Sequence, residues 1–441
     1  MMIGNEDRFA TTAVNRWPKI TLREANITLI DCDHRTPPAS HVGYPYVAIP
    51  QLKQGRIDLT DVRRIASEHY RDWTLKAKPR ANDVILSRRC NPGETAVVPP
   101  NLEFALGQNL VLLRADGTRV YPPFLRWLVR SPEWWEQIQK YLNVGAVFDS
   151  LKCADVPNFE LSIPSLSIQR HIAHILGSLD DKIELNRQMN ETLEAMARAI
   201  FKSWFVDFDP VRAKAEGRQP AGMDAATAAL FPDGFEEIDG REVPMGWEVA
   251  MLGDVAENIR RPTTPHKVSP ETPYIGLEHM PQHSIALNDC GLASDVESGK
   301  FGFRRNEFLF GKLRPYFHKV GIAPVDGVCS TDILVINPKK DSWYSYVICA
   351  ISTDDFIEYT NLGSDGTKMP RTNWSTMEKF TISIPPKPIV NEFNSRISSV
   401  FEKIIANIHE SRTLGQIRDA LLPKLMCGEI SLKTVDSSFD F

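Results

Sequence analysis

Two stretches of the chain place apolar residues at alternating spacings of four and three. The first stretch occupies Ile172, Leu176, Leu179, Ile183, Asn186, Asn190, Leu193, Ala197, Ile200 and Trp204. The second stretch occupies Phe393, Ile397, Val400, Ile404, Asn407, Ser411, Leu414, Arg418, Leu421 and Leu425. This alternation is the heptad seam of a helix that packs along one stripe, as in a coiled coil. Each run predicts a helix of about 50 Å at about 1.5 Å per residue. Pro210 and Pro423 lie near the C-terminal ends and are expected to help stop each helix.

Both stretches belong to an internal repeat of about half the chain. Leu161–Pro164 matches Ile382–Pro385 at an offset of 221 residues, and the match continues without a gap through the two heptad runs. Upstream sequences match more loosely, as Pro45–Val47 and Pro273–Ile275 do, at offsets between about 224 and 230 that insertions in loops would cause. The pattern predicts a variable head followed by a conserved helical region, twice over.

Asparagine occurs at the same seam position in both runs, at Asn186 and Asn407. A buried asparagine lowers stability but can fix the register and the number of paired helices. The alternative is the solvated edge of an ordinary amphipathic helix, and recurrence in both halves favours the seam. Two such helices, separated by a whole domain, can pair antiparallel within one chain.

The heads combine short apolar strand-like runs with loops that contain Pro and Gly, and with helix-like segments. This mixture predicts an α+β protein whose heads are of α/β or mixed type. The predicted strands are 83–86, 109–113, 307–310 and 332–336, and the predicted helices are 122–141 and 343–360. Between the halves, residues 220–254 carry eight acidic residues and one basic residue, which indicates an acidic linker running into the second head.

Composition narrows the class of protein. A chain of 441 residues with 42% hydrophobic and 24% charged residues is typical of globular proteins with two to four domains. The seven cysteines are scattered without a CxxC pair, which disfavours a disulfide framework or a zinc ribbon and favours a reducing cytoplasm. We therefore expect a soluble, intracellular protein, because no run of 18 apolar residues and no signal-peptide core occurs.

Sequence motifs for catalysis are missing. The Pro-Pro pairs at 99–100 and 385–386 lack the flanking residues of an adenine methyltransferase, and no GxxxxGK[ST], GxSxG or HExxH motif occurs. The run Asp31–His34 contains possible metal ligands. Adjacent residues in a loop seldom all face one ion, so a turn or capping role is favoured and no metal is expected.

Charge is distributed unevenly, although the net charge of -5 disfavours a simple basic nucleic-acid binder. Residues 51–90 carry ten basic and five acidic residues, and residues 300–319 carry six basic and one acidic residue. Tyr70, Trp73, Tyr316 and Phe317 interleave with these charges, as suits phosphate contacts with a few base-reading side chains. The loops 145–152 and 363–368, each with a lysine, precede the helical regions and are placed similarly. A solvated charged face would explain one such stretch, whereas recurrence in both heads favours DNA binding.

The whole chain resembles the specificity subunit of type I restriction–modification systems. The resemblance rests on ILGSLDDKIELN at 175–186, NETLEAMA at 190–197, FKSWFVDFDPV at 201–211, RDALLPKL at 418–425 and GEI at 428–430. The helical motifs are specific, while the heads match only in pattern. The resemblance implies target recognition domains at 1–160 and 244–384, helical coiled-coil regions at 161–215 and 385–432, a linker at 216–243 and a tail at 433–441.

The resemblance further implies a DNA-reading adaptor without chemistry of its own. Each head would read one half of a bipartite target, and the paired helices would set the spacer length and dock two methyltransferase subunits. Restriction/translocase subunits would join this core. No cofactor is expected on this chain, while S-adenosylmethionine, ATP and Mg²⁺ are expected on the partner subunits. The resemblance also implies a location in the bacterial or archaeal cytoplasm, with no membrane involved.

Two sets of candidate residues follow. The DNA-binding candidates are Arg63, Arg64, Arg88, Arg89, Lys152, Arg304, Arg305, Lys312, Arg314, Lys319 and Lys368. The candidates for helix pairing and subunit docking are Ile172, Leu176, Leu179, Ile183, Asn186, Leu193, Phe393, Ile397, Val400, Ile404, Asn407 and Leu414. The alternatives are a coiled-coil scaffold whose heads bind proteins, which predicts no DNA retention, and a stand-alone nucleic-acid enzyme, which predicts methylation or cleavage by the purified chain.

Overall fold

The computed structural model describes residues 17–145, 148–366, 368–430 and 432. The chain forms two compact units, one of Met1–Asp181 with Gly415–Phe441 and the other of Lys182–Leu414. Each unit therefore contains one head and a part of each long helix, so the compact units differ from the domains expected from the sequence. The expected tail at 433–441 lies outside the described residues.

The first unit carries a mainly antiparallel head. Its strands are Lys19–Thr21 (β1), Ile27–Asp31 (β2), Tyr44–Val47 (β3), Leu52–Lys53 (β4), Arg56–Ile57 (β5), Arg64–Ile65 (β6), Val84–Ser87 (β7), Thr95–Val97 (β8), Ala105–Leu106 (β9), Leu110–Ala115 (β10) and Glu160–Ser162 (β11). Its helices are Ser67–Thr74 (α1), Pro122–Leu128 (α2), Pro132–Tyr141 (α3) and the first part of Leu166–Phe205 (α4).

The central sheet of this head has the order β2-β10-β7-β8, and every neighbouring pair is antiparallel. Both faces of β10 are buried, which explains its unbroken apolar sequence. Val111 and Leu113 belong to the core that α2 and α3 also line, whereas Leu110 and Leu112 belong to a separate core on the other face. A buried strand of this kind gives a continuous hydrophobic run instead of alternation.

Helix pairing in the first unit joins the start of α4 to the end of the C-terminal helix Lys387–Met426 (α11). Ile172 and Leu176 share one core with Leu422 and Leu425, so the two helix segments run antiparallel. The indole of Trp17 donates to the carbonyl of Met426 at 2.9 Å, which ties the described N-terminal end to the same helix end.

The second unit repeats the main strand pairings of the first. Its strands are Phe235–Ile238 (β12), Arg241–Pro244 (β13), Glu248–Met251 (β14), Ala256–Ile259 (β15), Pro262–Thr263 (β16), Pro273–Ile275 (β17), Gly291–Leu292 (β18), Lys300–Phe303 (β19), Phe308–Gly311 (β20), Val320–Ile322 (β21), Gly327–Cys329 (β22), Ile333–Pro338 (β23) and Thr381–Ile384 (β24). Besides parts of α4 and α11, its helices are Asp209–Ala215 (α5), Ala225–Ala229 (α6), Leu252–Val255 (α7), Tyr344–Ile351 (α8), Asp354–Leu362 (α9) and Trp374–Met377 (α10).

The sheet order β15-β23-β20-β21 corresponds strand by strand to β2-β10-β7-β8. The parallel pair β17–β22 corresponds to β3–β9, and the antiparallel pair β14–β24 corresponds to β1–β11. The repeat detected in the helical sequences thus extends to the fold of the heads. Because the principal sheets are antiparallel, the heads are α+β; the α/β alternative is wrong.

Three details of the sequence prediction need correction. Residues 122–141 form α2 and α3 rather than one helix, because Ser131 caps α3 and Pro132 starts it. Residues 343–360 likewise contain α8 and α9, separated by the cap Thr353. Pro210 lies in the first turn of α5, which begins at Asp209, and Pro423 lies inside α11 rather than at its end.

The expected acidic linker at 216–243 is folded into the second unit. It contains α6 and the hairpin β12–β13, and Phe231 is buried in the main core at 2% exposure. Asp224 accepts the backbone N–H of Thr227 at 2.9 Å, which caps α6, and lies 2.6 Å from the guanidinium of Arg396. The acidic composition of this segment did not indicate that its apolar residues, such as Phe231, are buried in the core.

Candidate nucleic-acid interface

The loop that follows the inner strand β7 of the first head is built in the same way as the loop that follows β20 of the second head; we call β7 and β20 the central strands. After β7, the backbone N–H of Arg88 donates to the carbonyl of Asn109 at 2.9 Å. After β20, the backbone N–H of Lys312 donates to the carbonyl of Asp332 at 2.9 Å. Two residues further on, Cys90 and Arg314 both adopt left-handed backbone conformations, with φ of 65° and 51°. Arg88 and Lys312 therefore occupy equivalent positions.

A second loop closes over the first in the first head. The backbone N–H of Leu151 donates to the carbonyl of Arg88 at 2.8 Å. Asn143 and Ser150 exchange two backbone hydrogen bonds, of 2.9 and 3.0 Å, and form the base of a narrow loop. This arrangement brings the exposed Lys152 next to the Arg88 loop along the backbone. Residues 146 and 147 of the loop predicted from the sequence lie outside the described residues.

The second head repeats this closure. The backbone N–H of Thr372 donates to the carbonyl of Lys312 at 3.0 Å, and Asp365 and Arg371 exchange two backbone hydrogen bonds of 3.0 Å. The N–H of Arg314 donates to the carbonyl of Pro370 at 2.7 Å. Lys368 is exposed in the loop between Asp365 and Arg371. Residue 367 lies outside the described residues. The structure thus joins two loops that the sequence singled out separately.

Side-chain exposure divides the cations of the first head. Arg88 has only 12% of its side chain exposed, and its guanidinium lies 3.9 Å from the carboxylate of Asp31. Lys76 lies 3.7 Å from the same carboxylate. Arg89 and Lys152 are exposed. The exposed pair is available to solvent-side ligands, whereas Arg88 is held against the sheet.

The second head presents a more cationic cleft. Lys312 lines it together with Arg260, Phe301, Asn373 and Trp374. The strand pairings show that Arg260, which follows β15 in the second head, occupies the position of Asp31, the last residue of β2 in the first head. The second head therefore has a cation where the first has a carboxylate. Sequence reasoning missed Arg260, because only the strand register places it beside Lys312.

Other cationic candidates lie elsewhere in the heads. Arg304 and Arg305 are exposed in the turn before β20, whereas Lys312 follows the other end of this strand. The four residues of β20 separate the two ends by about 13 Å, at about 3.3 Å per residue. Arg63 and Arg64 are exposed, and their guanidinium groups donate to the carbonyls of Pro37 and Gly43.

The remaining candidate Lys319 donates from Nζ to the carbonyl of Leu277 at 2.6 Å. The aromatic residues of the first patch do not face solvent: Tyr70 and Trp73 are 8% and 7% exposed and pack in a core. Tyr316 of the second patch is 46% exposed. The expectation of aromatic residues interleaved with cations on the surface therefore fails for the first head.

Most seam positions lie between the long helices. The buried members are Ile172, Leu176, Asn186, Phe393, Ile397, Ile404 and Asn407, and the half-buried members are Leu179, Ile183, Leu193, Val400 and Leu414. In the second unit, the amide of Asn407 donates to the side-chain oxygen of Asn190 at 2.8 Å. The amide of Asn186 donates to Glu410 at 2.9 Å and to Ser411 at 3.3 Å. The asparagines are therefore buried in the helix contact rather than solvated.

A buried carboxylate organises the first unit. Asp180, with 9% of its side chain exposed, lies 2.5 Å from Arg126 and 2.6 Å from Arg418. Arg56 and Arg130 lie 3.8 and 3.9 Å from it. Burial alone would raise the pKa of Asp180, but Arg126 and Arg418 outweigh that effect and hold it below its ordinary value. The signal in the sequence was Arg418, a charged residue at a seam position.

Three side chains of the Asp31–His34 run do converge, against the expectation from their adjacency. The ligand atoms of Asp31, Cys32 and His34 lie within 4.8 Å of one another. Burial, with a contribution from Asp31, raises the pKa of the Cys32 thiol to about 11, which disfavours the thiolate that a metal would need. Asp31 also accepts the backbone N–H of Cys32 at 3.0 Å, in keeping with a turn role.

Comparison with known proteins agrees with the repeated architecture. The family model for the type I restriction modification DNA specificity domain matches twice, at residues 36–195 and 244–418. The HindI specificity subunit of Haemophilus influenzae is 29% identical, over 80% of this chain and 87% of its own length. The MjaIX specificity subunit of Methanocaldococcus jannaschii is 26% identical, over 84% of this chain and 82% of its own length.

The crystal structure of a type I restriction–modification S subunit from M. genitalium shares the fold, with a TM-score of 0.53 at 15% identity, covering 94% of this chain and 97% of that one. The two family matches together span well over half of the sequence. The chain therefore belongs to the specificity subunits of type I restriction enzymes, which recognise DNA targets. No helix among the described residues is long and apolar enough to cross a membrane.

Proposed function

We propose that each head reads one half of a bipartite DNA target and that the paired helices set the spacer between the halves. The observation that carries this proposal is the repetition of one loop construction in both heads. In each head a loop after the central strand and a second loop bonded to it place cationic side chains at the same sheet end. Two equivalent sites on one chain suit two half-sites of different sequence.

We assign DNA contacts first to these paired loops. Their cations are Arg89, Lys152, Lys312, Arg314 and Lys368, with Arg260 added by the structure. Arg88 is proposed as well, and it would have to leave Asp31 to reach DNA. The major groove distinguishes all four base pairs, and arginine or lysine can pair with guanine there. Arg63, Arg64, Arg304, Arg305 and Lys319 are proposed as contacts to the flanking phosphates.

The partners follow from the class of system. We propose that the long helices dock two copies of a methyltransferase subunit and that restriction/translocase subunits join the complex. The relatives are named as specificity subunits of restriction enzymes, which supports an assembly of this kind. S-adenosylmethionine, ATP and Mg²⁺ would be bound by those partners, and this chain would contribute no catalytic residue.

The salt dependence of binding tests the loop assignment. Loss of one phosphate contact lowers the slope of log K against log salt by about 1. In the complex with the methyltransferase subunit, we expect this change, or loss of base preference in one half-site, for Arg89→Ala and for Lys312→Ala. Arg23→Ala is the matched control, because Arg23 is exposed at the opposite end of the first sheet.

Mapping methylated adenines separates the two heads. Lys312→Ala should relax one half-site only, and Arg89→Ala should affect the other. Equal slopes and an unchanged target for both variants and for Arg23→Ala would refute the loop assignment. A change in both half-sites from one variant would refute independent reading by the heads.

A length change tests the spacer role. One helical turn of four residues, inserted into both α4 and α11, lengthens each helix by about 6 Å. That length corresponds to between one and two base pairs at about 3.4 Å per pair. We expect a longer spacer with unchanged half-sites, and an unchanged spacer would contradict the role of the helices as a ruler.

A further inference from the structure

Two histidines and an aspartate of the second unit converge, and none of them is a proposed DNA contact, although His318 directly precedes Lys319. His318 ends the turn Pro315–Phe317, Asp354 is the first residue of α9, and His283 lies in the loop before β18. The Nδ1 atom of His318 lies 3.4 Å from Oδ1 of Asp354, and the two imidazole rings are 4.6 Å apart between centroids. The ligand atoms of all three side chains lie within 4.8 Å of one another.

The buried histidine has its proton fixed on the far nitrogen. Nε2 of His318 lies 3.1 Å from the backbone carbonyl of Ser352. A carbonyl oxygen only accepts hydrogen bonds, so Nε2 donates to it, which leaves Nδ1, on the side of Asp354, as the nitrogen that could bind an ion. A metal-bound histidine is held in this way, with one nitrogen donating to a carbonyl and the other bound to the ion.

Backbone conformation also sets this position apart. His318 has a φ of 48°, in the left-handed region that side chains other than glycine seldom occupy. The first head has Gly93, with a φ of 97°, at the same position two residues before the equivalent strand. Histidine in place of glycine there costs roughly 1–2 kcal/mol of strain, which contacts of the imidazole must offset.

We propose that His283, His318 and Asp354 bind one divalent ion of the zinc type, with water completing a tetrahedron. Two imidazoles and one carboxylate form a donor set that zinc accepts, at about 2.0–2.2 Å. His283 and Asp354 are exposed, so their side chains can close on the ion while the buried His318 stays in place. The nearby cation Arg198 donates to the carbonyl of His283 and lies 3.1 Å from Glu194, which offsets its charge.

The ion would fasten a loop that already contacts α4. Glu194 accepts hydrogen bonds from the hydroxyl of Ser284 at 2.8 Å and from the backbone N–H of Ile285 at 3.0 Å. Zinc would tie the residue before this contact to the start of α9. The site would therefore stabilise the second unit, a role separate from reading DNA.

Metal titration of the full chain, without a polyhistidine tag and after chelator treatment, tests the site. We expect one zinc ion per chain by calorimetry and a higher midpoint of thermal unfolding. His283→Gln and Asp354→Asn should each weaken zinc binding by more than about tenfold, because loss of even an outer partner costs that much. His34→Gln is the matched control, since it alters the separate cluster at Asp31 and Cys32.

Cobalt spectra distinguish the two clusters. We expect ligand-field absorption without a thiolate-to-metal charge-transfer band. Absence of stoichiometric zinc binding would overturn the proposal. Binding that survives both His283→Gln and Asp354→Asn, or that His34→Gln abolishes together with a thiolate band, would overturn it as well.

Discussion

Replacement of Asp180 by asparagine is expected to destabilise the first unit by about 3 kcal/mol. The carboxylate binds Arg126 and Arg418 at 2.5 and 2.6 Å, and hydrogen bonds between charged groups contribute about 1.5–3 kcal/mol each. Removal of one partner from a buried ion pair costs about 3–5 kcal/mol, because the other charge is left uncompensated. The lower end applies, since Arg126 and Arg418 have 20% and 14% of their side chains exposed and water can solvate them in part.

Urea unfolding followed by tryptophan fluorescence measures this loss. Trp127 is buried and lies under the guanidinium groups of Arg126 and Arg130, at 4.4 and 5.4 Å. Trp127 is one of nine tryptophans, so it contributes part of the emission change on unfolding, and that part reports on the arginines that Asp180 binds. The matched control is Asp181→Asn, which makes the same chemical change at the adjacent exposed position.

The pH dependence follows from the lowered pKa of Asp180. Its ordinary value is 3.8, and the folded value lies below it. The stability contributed by the carboxylate is then fully present above pH 3.8 and is lost as pH falls through the folded pKa. The difference between wild type and Asp180→Asn should stay constant from neutral pH to about pH 5 and shrink in stronger acid.

Equal unfolding free energies for Asp180→Asn and Asp181→Asn, within about 0.5 kcal/mol, would refute this reasoning. A difference that grows in acid would also contradict it, because the sign of the pKa shift would then be wrong.

Three further changes probe packing. Asn407→Leu alone should lower the free energy of unfolding by about 1–3 kcal/mol in thermal unfolding, because it leaves the buried Asn190 without its 2.8 Å partner. The double variant with Asn190→Leu should recover this loss, and no recovery would contradict the pairing. Phe231→Ala should lower the free energy of unfolding in urea by about 3–5 kcal/mol, and Leu230→Ala, at the exposed neighbouring position, by about 0.5 kcal/mol or less. Equal effects would mean that Phe231 does not anchor the acidic segment. Gly43→Ala should lower the unfolding midpoint, because φ is 131° and a Cβ would lie 2.1 Å from the carbonyl oxygen of Ile65; an unchanged midpoint would contradict this close approach.

The parts of the fold that depend on local pattern could be predicted from the sequence. The heptad spacing predicted both long helices, and the strands predicted at 83–86 and 307–310 match the observed strands 84–87 and 308–311 within one residue. The helix break at Ser131 was missed, although serine followed by proline is typical of a helix start. Charge composition was a poorer guide, because the acidic residues of the expected linker surround Phe231, which is buried.

Sequence reasoning found the two cationic loops but not their closure. The bond from Leu151 to Arg88 spans 63 residues, and the carboxylate that holds Arg88 lies 57 residues earlier, at Asp31. Such contacts depend on strand register, which no local pattern specifies. The position of Arg260 beside Lys312 could not be predicted from the sequence for the same reason.

The division of the long helices between the compact units has a consequence for synthesis on the ribosome. The second unit is a continuous segment, Lys182–Leu414, and can fold as soon as it has emerged. The first unit needs Leu422 and Leu425 to cover Ile172 and Leu176. At about 5–20 residues per second, the head made first waits roughly ten to fifty seconds for these residues. We therefore expect the head translated second to complete its folding first, with an apolar helix stripe of the nascent chain exposed to chaperones throughout that delay.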